Sequence, residues 1–67
     1  MAYVSSDGNY GGDDALNFEA SDLTPTQWGN LEEISDSERY DYVFAILNND
    51  EEDIQGIEDA YDLPHSV

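Results

Sequence analysis

Lysine is absent from this 67-residue sequence and arginine occurs once, whereas aspartate and glutamate together occur 17 times. The formal net charge is therefore −16 with histidine neutral. Proteins that bind nucleic acid or an anionic membrane surface use lysine and arginine to neutralise phosphates. The composition therefore excludes nucleic acid and anionic membranes as direct ligands, and a protein partner is expected to be basic.

Cysteine is also absent. A disulfide framework and a cysteine-based zinc site are therefore excluded, and the reducing cytoplasm is the expected compartment. No apolar run approaches the ~20 residues that a bilayer span requires. The N-terminal residues Met1 to Val4 lack the basic and then apolar build of a signal peptide, so we expect no export.

Nucleophilic catalysis also has little support in the sequence. The sequence has neither cysteine nor lysine, and its single histidine, His65, lies near a C-terminus that is expected to fray. A chain of this length buries only about 60% of the surface that its unfolded form exposes, which leaves no room for an enclosed active site. We therefore expect no enzyme activity, no catalytic residue and no cofactor.

The segment from Asp7 to Gly12 is the one stretch that resembles a metal-binding motif. Asp7, Asn9 and Gly12 fall at positions one, three and six of an EF-hand loop. The match ends there, because Phe18 occupies position twelve, where an EF-hand has a bidentate glutamate. No helical pattern precedes the segment, so we do not expect a dedicated metal site.

High net charge with a mean hydropathy of −0.66 is typical of disordered chains. Two features favour a folded protein instead. Aromatic residues make up 12% of the sequence, and apolar residues recur with helical spacing in its second half. We therefore predict one small acidic domain over residues 1–67, folded under strong electrostatic self-repulsion.

The chain is predicted to have an α-rich small α+β fold. Residues 1–22 contain turn-forming Gly, Asn and Asp, and Leu16, Phe18 and Ala20 alternate with polar residues as in a strand. This pattern predicts a β-hairpin, with an irregular extended arm as the alternative. The helical part is predicted over residues 23–63, followed by a frayed tail over residues 64–67.

Three short helices are predicted in the helical part. The capping boxes Thr24–Gln27 and Ser35–Glu38 indicate helices over about 25–34 and 36–48. A third helix, over about 50–62, has acidic residues in its first turn, where the helix dipole favours negative charge.

The central helix has a wide apolar arc. Its members are Tyr40, Tyr42, Val43, Phe44, Ile46 and Leu47. Such an arc predicts contacts on two sides, either with the N-terminal hairpin or with a second copy of the chain in a homodimer through the Tyr40–Leu47 helix. The single arginine, Arg39, is expected to bridge Asp36 or a neighbouring acid.

Acidic residues placed three or four positions apart on a helix lie about 5–6 Å apart. This spacing is comparable with the charge spacing of DNA, which is about 3.4 Å along each strand. In composition and size the chain resembles small phage-encoded DNA-mimic proteins, a class that includes anti-restriction proteins, some anti-CRISPR proteins and inhibitors of host proteins. The resemblance implies a non-catalytic inhibitor that occupies the nucleic-acid-binding surface of a basic host or defence protein.

The acidic residues predicted to contact such a partner lie on the predicted helices or at their ends. They are Glu32, Glu33, Asp36, Glu38, Asp41, Asp50, Glu51, Glu52, Asp53, Glu58, Asp59 and Asp62. Exposed Tyr10, Tyr42 or Trp28 would add apolar anchors if they lie outside the core.

Two other classes of protein would have a composition like this one. A halophilic housekeeping domain carries surface acids in place of lysine, and needs no partner. An acidic antitoxin or assembly chaperone masks a basic partner that does not bind nucleic acid. The sequence alone leaves both alternatives open.

Overall fold

The computed structural model of the protein describes residues 2–5 and 16–66. Its elements are strands β1 (Ala2–Val4) and β2 (Leu16–Phe18), a 3-10 helix (Ala20–Asp22), and helices α1 (Pro25–Glu33), α2 (Asp36–Leu47) and α3 (Glu51–Ala60). The predicted fold class is confirmed, and the N-terminal region forms a hairpin instead of an irregular arm. The segment that resembles an EF-hand loop falls on residues 7–12, outside the described residues.

The two strands pair antiparallel, with Tyr3 opposite Asn17 and Val4 opposite Leu16. Val4 and Phe18 are buried, whereas Tyr3 and Asn17 are exposed. This alternation is expected of a sheet that has one face on the core and one in solvent. The hairpin therefore covers one side of the helices, as the alternation in its sequence predicted.

The predicted capping box at the start of α1 is confirmed. The amide of Gln27 donates to Thr24 Oγ1 at 3.1 Å, and the amide of Thr24 donates to Gln27 Oε1 at 2.9 Å. Pro25 occupies the first turn, where its missing N–H costs nothing. The indole N–H of Trp28 donates to the Ala20 carbonyl at 3.0 Å and ties α1 to the 3-10 helix.

The predicted second capping box does not form, although Ser35 is the residue that precedes α2. The Ser35 hydroxyl makes no capping bond and instead accepts a hydrogen bond from the Tyr61 hydroxyl at 2.8 Å. The amide of Glu38 is satisfied by the Ser35 carbonyl at 2.9 Å. The start of α2 was therefore predicted correctly, but Ser35 binds the end of α3 instead of capping its own helix.

Helices α2 and α3 both end at a residue in the left-handed backbone region. These residues are Asn49, with φ of 57°, and Asp62, with φ of 55°. After α2 the amide of Asp50 donates to the Ala45 carbonyl at 2.9 Å, and the amide of Leu63 closes α3 in the same way. This is the Schellman arrangement, in which the last carbonyls of a helix find donors. It ends α3 at Ala60, two residues before the predicted boundary.

Helix α2 contacts the hairpin on one side and α3 on the other. The core consists of Val4, Phe18, Leu23, Leu31, Ile34, Tyr42, Val43, Ala45, Ile46 and Ile54. The predicted contacts on two sides of α2 are thus found within one chain. However, Phe44 and Leu47 are 49% and 36% exposed, whereas Tyr42 and Ile46 are buried. The hydroxyl of the buried Tyr42 has a polar partner inside the core, which a hydropathy pattern does not reveal.

The predicted ion pair of Arg39 is confirmed, with Nη1 at 2.7 Å from Asp36 Oδ1. Arg39 Nε also donates to the Leu31 carbonyl at 2.9 Å, and Nη2 donates to the Glu32 carbonyl at 3.4 Å. The last carbonyls of a helix lack intrahelical donors, and the negative end of the dipole favours a cation. Arg39 therefore caps α1 from α2 and fixes the angle between the two helices.

Replacing Arg39 with alanine is expected to lower the free energy of unfolding by about 1–2 kcal/mol, because partly buried hydrogen bonds to a charged donor are lost. The Arg39→Lys variant keeps the positive charge but lacks the planar guanidinium with its several donors. It should therefore recover only part of the lost stability. Urea unfolding followed by circular dichroism measures both. Native stability in the lysine variant would show that the charge alone matters.

Candidate partner-binding site

The structure exposes most of the acidic residues that were predicted to contact a partner. Exposed are Glu32, Glu33, Asp36, Asp41, Asp50, Glu51, Glu52, Asp53, Asp59 and Asp62, and Glu38 is half-buried. Two of the exposed acids have basic partners, since Asp36 binds Arg39 and Asp59 binds His65. The hydrogen bond to Asp59 raises the pKa of His65.

Glu58 is the exception, with 0% of its surface exposed. The prediction that Glu58 belongs to the acidic surface is therefore wrong. Glu58 follows the buried Ile54 by four residues, so both side chains lie on the same face of α3. The sequence prediction assigned Glu58 to the acidic surface by its charge, although its spacing from Ile54 indicates the buried face.

The Glu58 carboxylate is held by three parts of the protein. Its Oε2 accepts hydrogen bonds from the Ser66 hydroxyl at 2.6 Å, the Tyr42 hydroxyl at 2.7 Å and the Asn30 amide at 3.2 Å. The Asn30 amide also donates to the Pro64 carbonyl at 2.9 Å. These bonds dock residues 64–66 against the helices, so the frayed tail predicted there is not found.

Three aromatic residues were predicted to be apolar anchors if exposed. Tyr42 is buried and its hydroxyl binds Glu58, so it is not available to a partner. Trp28 is half-buried, with its ring centroid 5.8 Å from that of Phe18. Tyr10 lies outside the described residues. The exposed aromatic residues are instead Phe44, which stacks on Tyr40 at a centroid distance of 6.2 Å, and Tyr3 on the hairpin.

An open groove of about 610 Å³ runs between α2 and α3. We call it the α2–α3 groove. Its apolar lining is Phe44, Ala45, Ile57 and Ala60, together with Gly56, and its acidic lining is Glu38, Asp41, Asp50, Glu52 and Asp53. The lining residues recur every three or four positions along each helix, so the groove follows the helices. It therefore combines apolar surface with a high density of negative charge.

The negative charges that line the groove affect the pKa of Asp53. The side-chain hydrogen bond with Asp50 and the charge of Asp50 raise the pKa of the Asp53 carboxyl, and Glu52 and Asp41 add to the effect. Asp50 also caps α3, accepting a hydrogen bond from the Asp53 amide at 3.3 Å. The helix start thus fixes several like charges close together, and a cation placed beside them would be favoured.

The described parts of the chain, 2–5 and 16–66, contain no group of three or more acidic or histidine side chains arranged to hold a metal ion. None of the helices described there is long and apolar enough to cross a membrane.

Comparisons with protein-family models, with curated proteins and with solved structures find no match for this chain. A function therefore has to be argued from the geometry and charge of the surface itself.

Proposed function

We propose that the protein is a non-catalytic inhibitor that occupies the basic nucleic-acid-binding surface of a partner protein in place of DNA. The observation that carries this proposal is the exposure of acidic side chains along three helices of defined position. A disordered acidic tail also attracts a basic protein, but it cannot hold its charges at fixed separations.

The fold holds these charges in place by several independent contacts. The Thr24 capping box sets the start of α1, Arg39 joins α1 to α2, and the Asp50 cap sets the start of α3. Acids one helical turn apart on such elements are separated by about 5–6 Å. Among the predicted contact acids, three pairs stand three positions apart on one helix or at its ends and outside the core, namely Glu38 and Asp41, Asp50 and Asp53, and Asp59 and Asp62. The surface therefore offers a basic groove pairs of anions held at fixed separations.

The electrostatic repulsion among so many acids supports the view that the acidic surface was selected for a function. Two unit charges 10 Å apart in water repel by roughly 0.4 kcal/mol before screening, and a small domain has little stability to lose. Surfaces that need only solubility mix acids with lysine and arginine. Here the only arginine is used to join two helices, so the exposed surface remains strongly acidic.

The proposal is tested by capture followed by displacement. The immobilised protein should retain a basic nucleic-acid-binding protein from a cell lysate and release it as salt is raised, because the interaction is electrostatic. Adding the protein to a complex of that partner with labelled duplex DNA should release the DNA. If DNA and the protein bind the partner at the same time without weakening each other, the mimicry proposal fails.

The remaining alternatives appear as distinct outcomes of the same experiment. A captured partner that does not bind nucleic acid would indicate an antitoxin or chaperone. Failure to capture any basic protein, together with helical structure that forms only in concentrated KCl, would indicate a halophilic housekeeping domain.

A further inference from the structure

Three of the residues that line the α2–α3 groove are small. Ala45 and Ala60 carry only a methyl group, and Gly56 carries no side chain. A Cβ built at Gly56 meets no atom within 4 Å, so space is available beside it. Phe44 is 49% exposed at the same groove, which is a large apolar surface to leave in water.

The charge around this apolar surface limits what can cover it. The groove has five acidic lining residues, and none of the residues found to line it is basic. A second copy of the chain would bring its own formal charge of −16 to the contact, so self-association here is opposed by repulsion. An occupant whose apolar residues are flanked by cationic side chains would cover the apolar lining and pair with the acidic lining.

We propose that the α2–α3 groove binds an amphipathic basic helix of the partner protein. Apolar side chains of that helix cover Phe44 and Ile57, and its Lys and Arg side chains pair with Asp41 and Asp53. Helix α3 has ten residues, which corresponds to a length of about 15 Å or nearly three helical turns. The inference rests on the proposed function and names the part of the partner that is recognised.

Two glycines provide a matched pair of variants. Gly56 lies in the groove, whereas Gly29 lies in α1 away from it, and each is exposed within a helix with nothing within 4 Å of a built Cβ. Leucine at Gly56 would project into the groove, and leucine at Gly29 would project into solvent. Leucine favours helix more than glycine does, so neither substitution should destabilise its helix.

The probes are two synthetic peptides of identical composition. One has a stripe of leucines flanked by lysines at helical spacing, and the other has the same residues in scrambled order. Fluorescence anisotropy at physiological salt should show the patterned peptide binding the full-length protein about tenfold more tightly than the scrambled one. Gly56→Leu should weaken binding of the patterned peptide by about tenfold, while Gly29→Leu leaves it unchanged.

Three results would overturn the groove inference. They are equal binding of the two peptides, equal affinity of the two leucine variants, and sedimentation showing that the native protein is a dimer which Gly56→Leu dissociates. Circular dichroism of both variants confirms that they are folded. If the peptides fail to discriminate but the protein still displaces DNA from its captured partner, the groove inference is wrong and the proposed function stands. If DNA is not displaced, the proposed function fails, whatever the peptides do.

Discussion

Glu58→Ala is expected to lower the free energy of unfolding by about 3–5 kcal/mol, because several buried donors lose their acceptor at once. The hydroxyls of Tyr42 and Ser66 and the amide of Asn30 all point to one oxygen of this carboxylate. At about 0.05–0.15 kcal/mol of stability per residue, a chain of this length has roughly 3–10 kcal/mol in total, so the substitution removes a large part of it. The unfolded fraction of the Glu58→Ala protein should therefore rise well above that of the native protein.

The matched control is Glu58→Gln. A glutamine oxygen at the position of Oε2 can still accept from Tyr42 and Ser66, so we expect a loss of only about 1 kcal/mol. Both variants have the same formal charge of −15, since each removes one negative charge from −16. Circular dichroism and urea unfolding distinguish them. If the alanine variant is as stable as the glutamine variant, the carboxylate does not organise the interior.

Alkaline pH is expected to destabilise the protein through Tyr42. Burial is the main cause that raises the pKa of the Tyr42 hydroxyl from 10.0 to about 12, and the hydrogen bond to the Glu58 carboxylate adds to it. Because the pKa is higher in the folded protein, the stabilisation is complete below pH 10 and is lost as pH rises from 10 to about 12. The expected loss across this window is roughly 2–3 kcal/mol.

Tyr42→Phe separates this effect from general charge repulsion. The variant lacks the ionising hydroxyl, so its stability should fall less between pH 9 and pH 11 than that of the native protein. At neutral pH it should be less stable by about 1–3 kcal/mol, because Glu58 loses its phenol donor. Urea midpoints at the two pH values provide the comparison. An identical alkaline loss in both proteins would exclude Tyr42 as its source.

The elements of this fold were predictable from the sequence where the signals are local. The Thr24 box and the Arg39–Asp36 pair each join residues three apart, and both are present. Alternation at Leu16 and Phe18 likewise indicated the second strand of the hairpin. Local patterns therefore located the three α-helices and the hairpin, but not the 3-10 helix Ala20–Asp22.

The errors arose where distant residues decide the outcome. Glu58 looked like another surface acid because its donors, Asn30 and Tyr42, lie 28 and 16 residues away. Ser35 looked like a cap, but it binds Tyr61, which is 26 residues away. Phe44 looked like a core residue, although the open groove between α2 and α3 exposes it. The packing of the helices against one another determines these contacts.

The candidate site, like the fold, was predictable from the sequence only in part. The sequence indicated which residues are acidic, and most of them are exposed as expected. It did not indicate that Phe44, Ile57 and Gly56 would lie together among those acids, because Phe44 comes from a different helix than the other two. The apolar part of the site is therefore known only from the folded structure.

We propose that charge fixed in position by the fold, and not charge alone, displaces nucleic acid from the partner. The most direct test compares Glu58→Gln with Glu58→Ala in displacing labelled duplex DNA from the captured partner at physiological salt. The two variants carry equal net charge, so the folded glutamine variant should compete nearly as well as the native protein and the unfolded fraction of the alanine variant should compete much less. Equal displacement by the folded glutamine variant and by an alanine variant that circular dichroism shows to be unfolded would contradict the account.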